Sequence, residues 1–168
     1  AAAADGDDTV DSDDEDGVAF PIFYASKQAV VTATVFITTG QPSRLYSFID
    51  FNGDGDFNDT NEAVSSVVSS SGSVPVTFTV PLGADTTKLL GARFRLSTAA
   101  NLGSGGAASN GEVEDYLIQV LPVYDHGDLP DAGAGTGPQD YQTLLANGGP
   151  RHQLVPGVYL GAGGDDES

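Results

Sequence analysis

Asp50, Asn52, Asp54 and Asp56 alternate along the stretch IDFNGDGDFNDTNE (49–62), and Glu62 closes it. Five carboxylates and three asparagines share those fourteen positions. Oxygen donors at alternate positions, with glycine where the backbone must turn, suit a hard divalent cation. Ca2+ takes about six to eight oxygens at about 2.3–2.6 Å. Asp50, Asn52 and Asp54 stand at the first, third and fifth places of such a loop, Gly55 at the sixth and Asp56 at the seventh. A helical calcium hand puts its closing bidentate carboxylate at the twelfth place, which here is Asn61, with Glu62 one residue later. The metal-free alternative is a solvated Asn/Asp/Gly turn. It would leave Asp50, Asp54, Asp56, Asp59 and Glu62 repelling one another. Mg2+ favours fewer carboxylates and more water. Zn2+ is poorly matched by a chain without cysteine. The expected cofactor is Ca2+, in a loop set between strands.

The flanks supply those strands. AVVTATVFIT (29–38) places Val31, Ala33, Val35 and Ile37 on one face, and RLYSFID (44–50) leads directly into the loop. SVPVTFTV (73–80) alternates strictly, with Pro75 suggesting an edge position. KLLGARFRLS (88–97) turns Leu90, Ala92, Phe94 and Leu96 inward and sets Arg93 and Arg95 outward. EVEDYLIQVL (112–121) is the last long strand. SSVVSSSGS (65–73) reads as a flexible loop. The expected fold is all-β: an antiparallel Ig-like or jelly-roll β-sandwich over residues 18–122. An acidic linker (1–17) precedes it, and an irregular Gly/Pro-rich C-terminal extension (123–168) follows. That extension is too poor in apolar runs to build a core alone.

Charge narrows the function. The chain has 24 acidic and 6 basic residues, a net charge of −18. Phosphate contacts need Lys and Arg, so nucleic acid is excluded as a partner. No window of the sequence is apolar enough to span a bilayer. With no cysteine, neither disulfides nor thiolate metal sites are available. Position 1 is not Met, and the chain starts in AAAADGDD and stops in GGDDES. Those ends read as one acidic segment cut in the middle, as in a processed chain or one unit of a tandem array.

Two further acidic groups stand apart from the loop. Glu112 and Glu114 share one face of their strand and Asp115 the other. They either complete the coordination shell of the loop, pair with Arg93 or Arg95, or protect an exposed edge by charge. Asp125, Asp128 and Asp131 could form a second, junction cation site with Asp13, Asp14 and Asp16. The alternative is a polar turn ending at Pro130. His126 and His152 read as surface hydrogen-bonding residues. No nucleophile turn marks any of the many serines, so no catalytic residue is assigned and an enzyme is not expected.

IDFNGDGDFNDTNE, the strand pair SVPVTFTV and LLGARFRLS, and NGEVEDYLIQV occur in that order. They resemble the GEVED domain of bacterial secreted and surface proteins, named from the motif that stands here at Gly111–Asp115. The similarity spans residues 14–121. It implies a β-sandwich module, often in tandem, on large extracellular proteins with calcium-rich loops, flanked by segments that separate such modules. The tryptophan often found before the acidic loop is replaced here by Phe48, which changes packing and leaves the metal ligands unaffected. The expected role is a calcium-stabilised repeat unit of an extracellular fibre, sheath or adhesin at a bacterial cell surface. Copies of itself or adjacent repeats would be its partners, with strand addition through HQLVPGVYL as one docking mode. The alternative is a calcium-dependent module that binds surface glycans.

Overall fold

A computed structural model describes residues 16–161. They divide into two compact units, one ending at Leu121 and the other starting at Pro122. The first unit holds β1 (Val18–Ala19), β2 (Phe23–Tyr24), β3 (Gln28–Val35), β4 (Ser43–Ile49), β5 (Ala63–Val68), β6 (Gly72–Thr79), β7 (Leu90–Ser97), β8 (Glu112–Ile118) and β9 (Val120–Leu121). The fold is all-β. No helix among the described residues is long and apolar enough to cross a membrane.

Period-two alternation builds the first unit. β1, β3 and β6 form one sheet in the order β1-β3-β6, and β5, β4, β7 and β8 form another in the order β5-β4-β7-β8. All pairs in these two sheets are antiparallel. The short β2–β9 pair is parallel. On β3, Ala29, Val31, Ala33 and Val35 are buried, and on β6 so are Val76 and Phe78. On the second sheet Leu45, Ile49, Leu90, Ala92 and Phe94 are buried as well. A cavity of about 70 Å³, lined jointly by Ala33, Val35, Leu45, Phe94 and Leu96, marks the gap between the layers. Pro75 lies in β6, an edge strand whose one sheet neighbour is β3.

A chain of rings runs through this core. Tyr116 packs on Phe94 and Phe20, Phe20 on Phe23, Phe23 on Phe51, and Phe51 on Phe78, with centroids 5.0–6.4 Å apart. Edge-to-face pairs of this kind add about 0.5–1.5 kcal/mol each beyond their burial.

Two strand readings need correction. SSVVSSSGS does not form a loop throughout: β5 takes Ala63–Val68, and the turn is confined to residues 69–71. β5 is an edge strand in which Ser65 is exposed, Ser66 half-buried and only Val68 fully buried, so its apolar signal is weak. Arg95 does not point into solvent. It is 4% exposed, because the excursion between β7 and β8 folds back over it.

The second unit has β10 (Tyr124–His126) paired antiparallel with β11 (Arg151–Gln153), plus a single 3-10 turn at Leu145–Asn147. It buries Val123 and Thr143, while Leu129, Tyr141, Leu144, Leu145, Val158, Tyr159 and Leu160 stay exposed. Polar contacts hold it. The Asp131 Oδ2 accepts from the Thr143 and Leu144 amides at 2.8 Å, and its Oδ1 accepts from Gly133 and the Asn147 side chain.

Ser47 is one weak point of the core. It is fully buried on the inner face of β4, registered with Val64 and Phe94, and its hydroxyl has no partner among the described residues. An unpaired buried polar group costs about 1–3 kcal/mol. Ser47→Ala is therefore expected to stabilise the protein by about 1 kcal/mol in chemical denaturation. A lower midpoint for the variant would show that the hydroxyl is satisfied.

Candidate functional site

The acidic loop leaves the end of β4 and returns at the start of β5. Its ends are stitched together: the Ile49 amide donates to the Glu62 carbonyl at 2.9 Å. Glu62 is 1% exposed and turned inward, after Asn61 adopts a left-handed conformation with φ 73°. Its Oε1 accepts from the Phe51 amide at 2.9 Å and the Asn52 amide at 3.4 Å. Its Oε2 accepts from the Asp59 amide at 3.2 Å. Burial pushes the Glu62 carboxyl above the ordinary glutamate range; these three amides oppose the shift and the nearby Asp50 charge adds to it.

Asp50 does the same for the first turn. Its Oδ1 accepts from Gly53 at 2.6 Å and Asp54 at 3.2 Å, and its Oδ2 from Gly55 at 3.0 Å. Gly55 turns the chain with φ 97°, a region costly for other residues. Phe57 anchors the loop on Phe48, with ring centroids 5.7 Å apart. Lys88 donates to the Gly53 carbonyl at 2.8 Å and pairs with Asp85 at 3.3 Å.

The loop's backbone is thus held by Asp50 and Glu62, and its exposed side is left to other carboxylates. Asp54, Asp56 and Asp59 bring oxygens within 4.8 Å of one another, and all three are exposed. The Asn52 side-chain amide donates to Asp54 at 3.1 Å and to Asp59 at 2.7 Å. Its oxygen accepts from the Asp54 amide at 3.0 Å. A cavity of about 260 Å³ opens beside the loop, lined in part by Asn52, Asp59 and Glu62. Of the expected ligands, Asn52, Asp54 and Asp56 therefore lie at the exposed cluster, while Asp50 and Glu62 face the backbone. Asp59, which stood in the sequence as one more repelling charge, joins the cluster. Only folding the loop over Glu62 brings it there.

The second acidic group lies elsewhere. Asp115 makes a two-pronged ion pair with Arg93, through Nε at 2.7 Å and Nη2 at 2.5 Å. Glu112 and Glu114 are on the opposite, inward side of β8, in register with Leu96 and Phe94. Glu114 accepts from the Tyr116 hydroxyl at 2.6 Å, and that hydroxyl accepts from the Val18 amide at 3.2 Å. Gly17 is wedged against the same carboxylate; a Cβ there would lie 2.8 Å from its oxygens. The Gly17 carbonyl in turn accepts from the Thr34 amide. Gly111 crosses the Leu96 carbonyl at φ 109°, where a Cβ would come within 1.8 Å of that oxygen. The motif GEVED thus ties the start of the sandwich to its last long strand. Tyr116 and Gly17 carry no chemistry-bearing pattern in the sequence and were not legible as parts of it.

Residues 44–119, rather less than half of the chain, match the GEVED domain family. The chain carries a GEVED domain. The matched segment begins at β4, whereas the sandwich begins earlier: without β3, β6 would lack the strand it pairs with along its full length. Both the acidic loop and the Gly111–Asp115 motif lie inside the GEVED domain. No curated protein is similar enough in sequence to be matched with the chain.

Of the six residues considered for a junction site, Asp13 and Asp14 lie outside the described residues, and Asp16 is exposed. Asp128 is exposed, and Asp125 lies in β10 opposite His152. Asp131 is occupied by its hydrogen bonds within the second unit. The Leu144 amide is the main cause holding its carboxyl below the ordinary aspartate range, with Thr143, Asn147 and Gly133 also contributing against a partial loss of hydration.

Two outcomes follow from these contacts. Tyr116→Phe removes a hydroxyl that both accepts and donates, and is expected to cost about 1–2 kcal/mol and to speed hydrogen exchange at the Val18 amide. Unchanged exchange there would detach the motif from the N-terminal strand. For Asp131, the folded carboxyl is depressed, so its contribution is full above the ordinary aspartate value of about 4. It is lost as pH falls through the lowered folded value. NMR titration of the Thr143 and Leu144 amides should show that midpoint below the ordinary value; one at or above it would contradict the hydrogen-bond assignment.

Proposed function

We propose that the chain is a calcium-stabilised structural unit of an extracellular assembly at a bacterial surface, joined to neighbouring copies rather than acting as a catalyst. The observation that carries this reading is the exposed cluster of Asp54, Asp56 and Asp59, presented by a loop whose backbone Asp50 and Glu62 already fix. The donor set fits Ca2+: its oxygens are hard, no histidine is among them, and the chain has no cysteine. Asp54, Asp56 and Asp59 would hold the ion, with Asn52, backbone carbonyls and water as the remaining donors. Bound there, the ion would neutralise carboxylates that now share one side-chain amide. A chain of net charge −18 gains compactness from any such cation.

The second unit supports the assembly half of the reading. Leu144, Leu145, Val158, Tyr159 and Leu160 are apolar, and Leu160 is 96% exposed. Exposed apolar side chains in so small and polar a unit suit contact with another copy.

At about 1 mM free Ca2+ and a Kd of about 10 μM, one site would add about 2–3 kcal/mol. Calorimetry in EDTA should therefore show a melting temperature lower by about 5–15 °C than in calcium. In Asp54→Ala/Asp56→Ala/Asp59→Ala the difference should vanish. Identical melts of the native chain in EDTA and in calcium would overturn the calcium reading.

A further inference from the structure

The end of the sandwich away from the acidic loop has a different chemistry. β4 runs from one end to the other, so Ser43 and Ile49 stand about 20 Å apart. Phe36, the residue after β3, is 80% exposed there. It borders a cavity of about 140 Å³ that is also lined by Thr38, Thr39, Ser43, Thr98 and Asn110. Among the described residues no ionisable side chain lines this cavity, in a chain with 24 acidic residues. Phe36 also lines the 70 Å³ gap, together with Glu112 and Glu114.

The walls are fixed. The Asn110 oxygen accepts from the Ser97 hydroxyl and the Thr98 amide, each at 3.1 Å, and its nitrogen donates to the Thr98 hydroxyl at 2.8 Å. The Ile37 amide donates to the Ser71 hydroxyl at 2.8 Å, which holds the strand carrying Phe36 against the β5–β6 turn. A site ordered before binding loses little freedom when a ligand arrives.

An exposed phenyl ring beside hydroxyls and an amide selects for a ligand with one C–H face and a polar edge. A pyranose ring has both. Thr98 and Asn110 already bond to each other and Thr39 accepts from the Gln41 amide, but an apolar peptide would bury the Thr38 hydroxyl unpaired. An anion would meet the field of a strongly negative chain. We infer that this end of the sandwich binds a neutral hexopyranose residue of a glycan. The sugar stacks on Phe36 and hydrogen-bonds to Thr38, Thr39, Thr98 and Asn110, and it needs no calcium. The site is separate from the acidic loop, so failure of the calcium reading leaves it standing, and the reverse also holds.

The test is a two-dimensional amide NMR titration of the full chain in calcium, with the methyl glycosides of glucose, galactose, mannose and N-acetylglucosamine and with cello- and chito-oligosaccharides. At least one should move the signals of Phe36 to Thr39, Thr98 and Asn110, with a dissociation constant of about a millimolar. Phe36→Ala, a change at an exposed side chain that leaves the core intact, should weaken binding tenfold or more. Asp54→Ala/Asp56→Ala/Asp59→Ala should leave it unchanged. No shifts with any sugar to about 50 mM, a range far above that expected constant, would overturn the inference. Shifts confined to residues 50–62 and lost in the loop variant would also overturn it. So would a Phe36→Ala change in self-association by sedimentation without any sugar response, which would assign the surface to a protein partner.

Discussion

The buried Glu62 carboxylate is the constraint on which the rest of the first unit depends. Two of the acidic loop's five carboxylates, Asp50 and Glu62, are buried. Glu62 takes the amides of Phe51, Asn52 and Asp59. Once those amides are taken, the loop has few other paths, and its remaining carboxylates are driven to one exposed side. The same fold commits Phe51 to the core, where it meets Phe23 and Phe78, and the Phe51 carbonyl receives the Asp85 amide at 2.8 Å. The polar loop and the apolar core are therefore a single mechanical object.

At the other end of the ring chain stands Tyr116, whose hydroxyl joins Glu114 to the Val18 amide. The two acidic motifs of the GEVED domain thus use carboxylates in a similar way. Each turns an oxygen inward to hold a piece of chain that would otherwise drift, one through amides and one through a phenol. The glycines at 17 and 111 exist for close approach, one against a carboxylate and the other across a carbonyl. Charge in the motif's name disguises a largely positional task.

Much of the sandwich was legible because alternation is a direct record of a sheet with one wet face. β3, β6 and β7 announce themselves through valine, phenylalanine and leucine at every second place. β5 escaped because Ser65 and Ser66 interrupt its valines and only Val68 is fully buried, which softens the period. Arg95 misled for a related reason: alternation reports which side of a strand a residue takes, and cannot report that a later excursion will cover that side. At the acidic loop the residue types were informative and the division of labour was not. Nothing in the spacing distinguishes Asp50 and Glu62, which hold backbone, from Asp54, Asp56 and Asp59, which face solvent. The second unit was least legible, since its organiser is one aspartate bonded to groups up to sixteen residues away. Hydrogen bonds of that reach leave no period in a sequence.

Arg95 has one more consequence. Its guanidinium donates to the carbonyls of Gly103, Gly105 and Gly106, and Arg93 donates to that of Ser104. Two side chains on the sheet therefore grip an excursion by its backbone, whatever side chains the excursion carries. Residues 103–106 are held by their carbonyls, and of these four only Gly106, at φ 81°, has a conformation that also asks for glycine. Such a segment can change its chemistry from one relative to another while the scaffold beneath stays fixed, much as a picture frame accepts a new print.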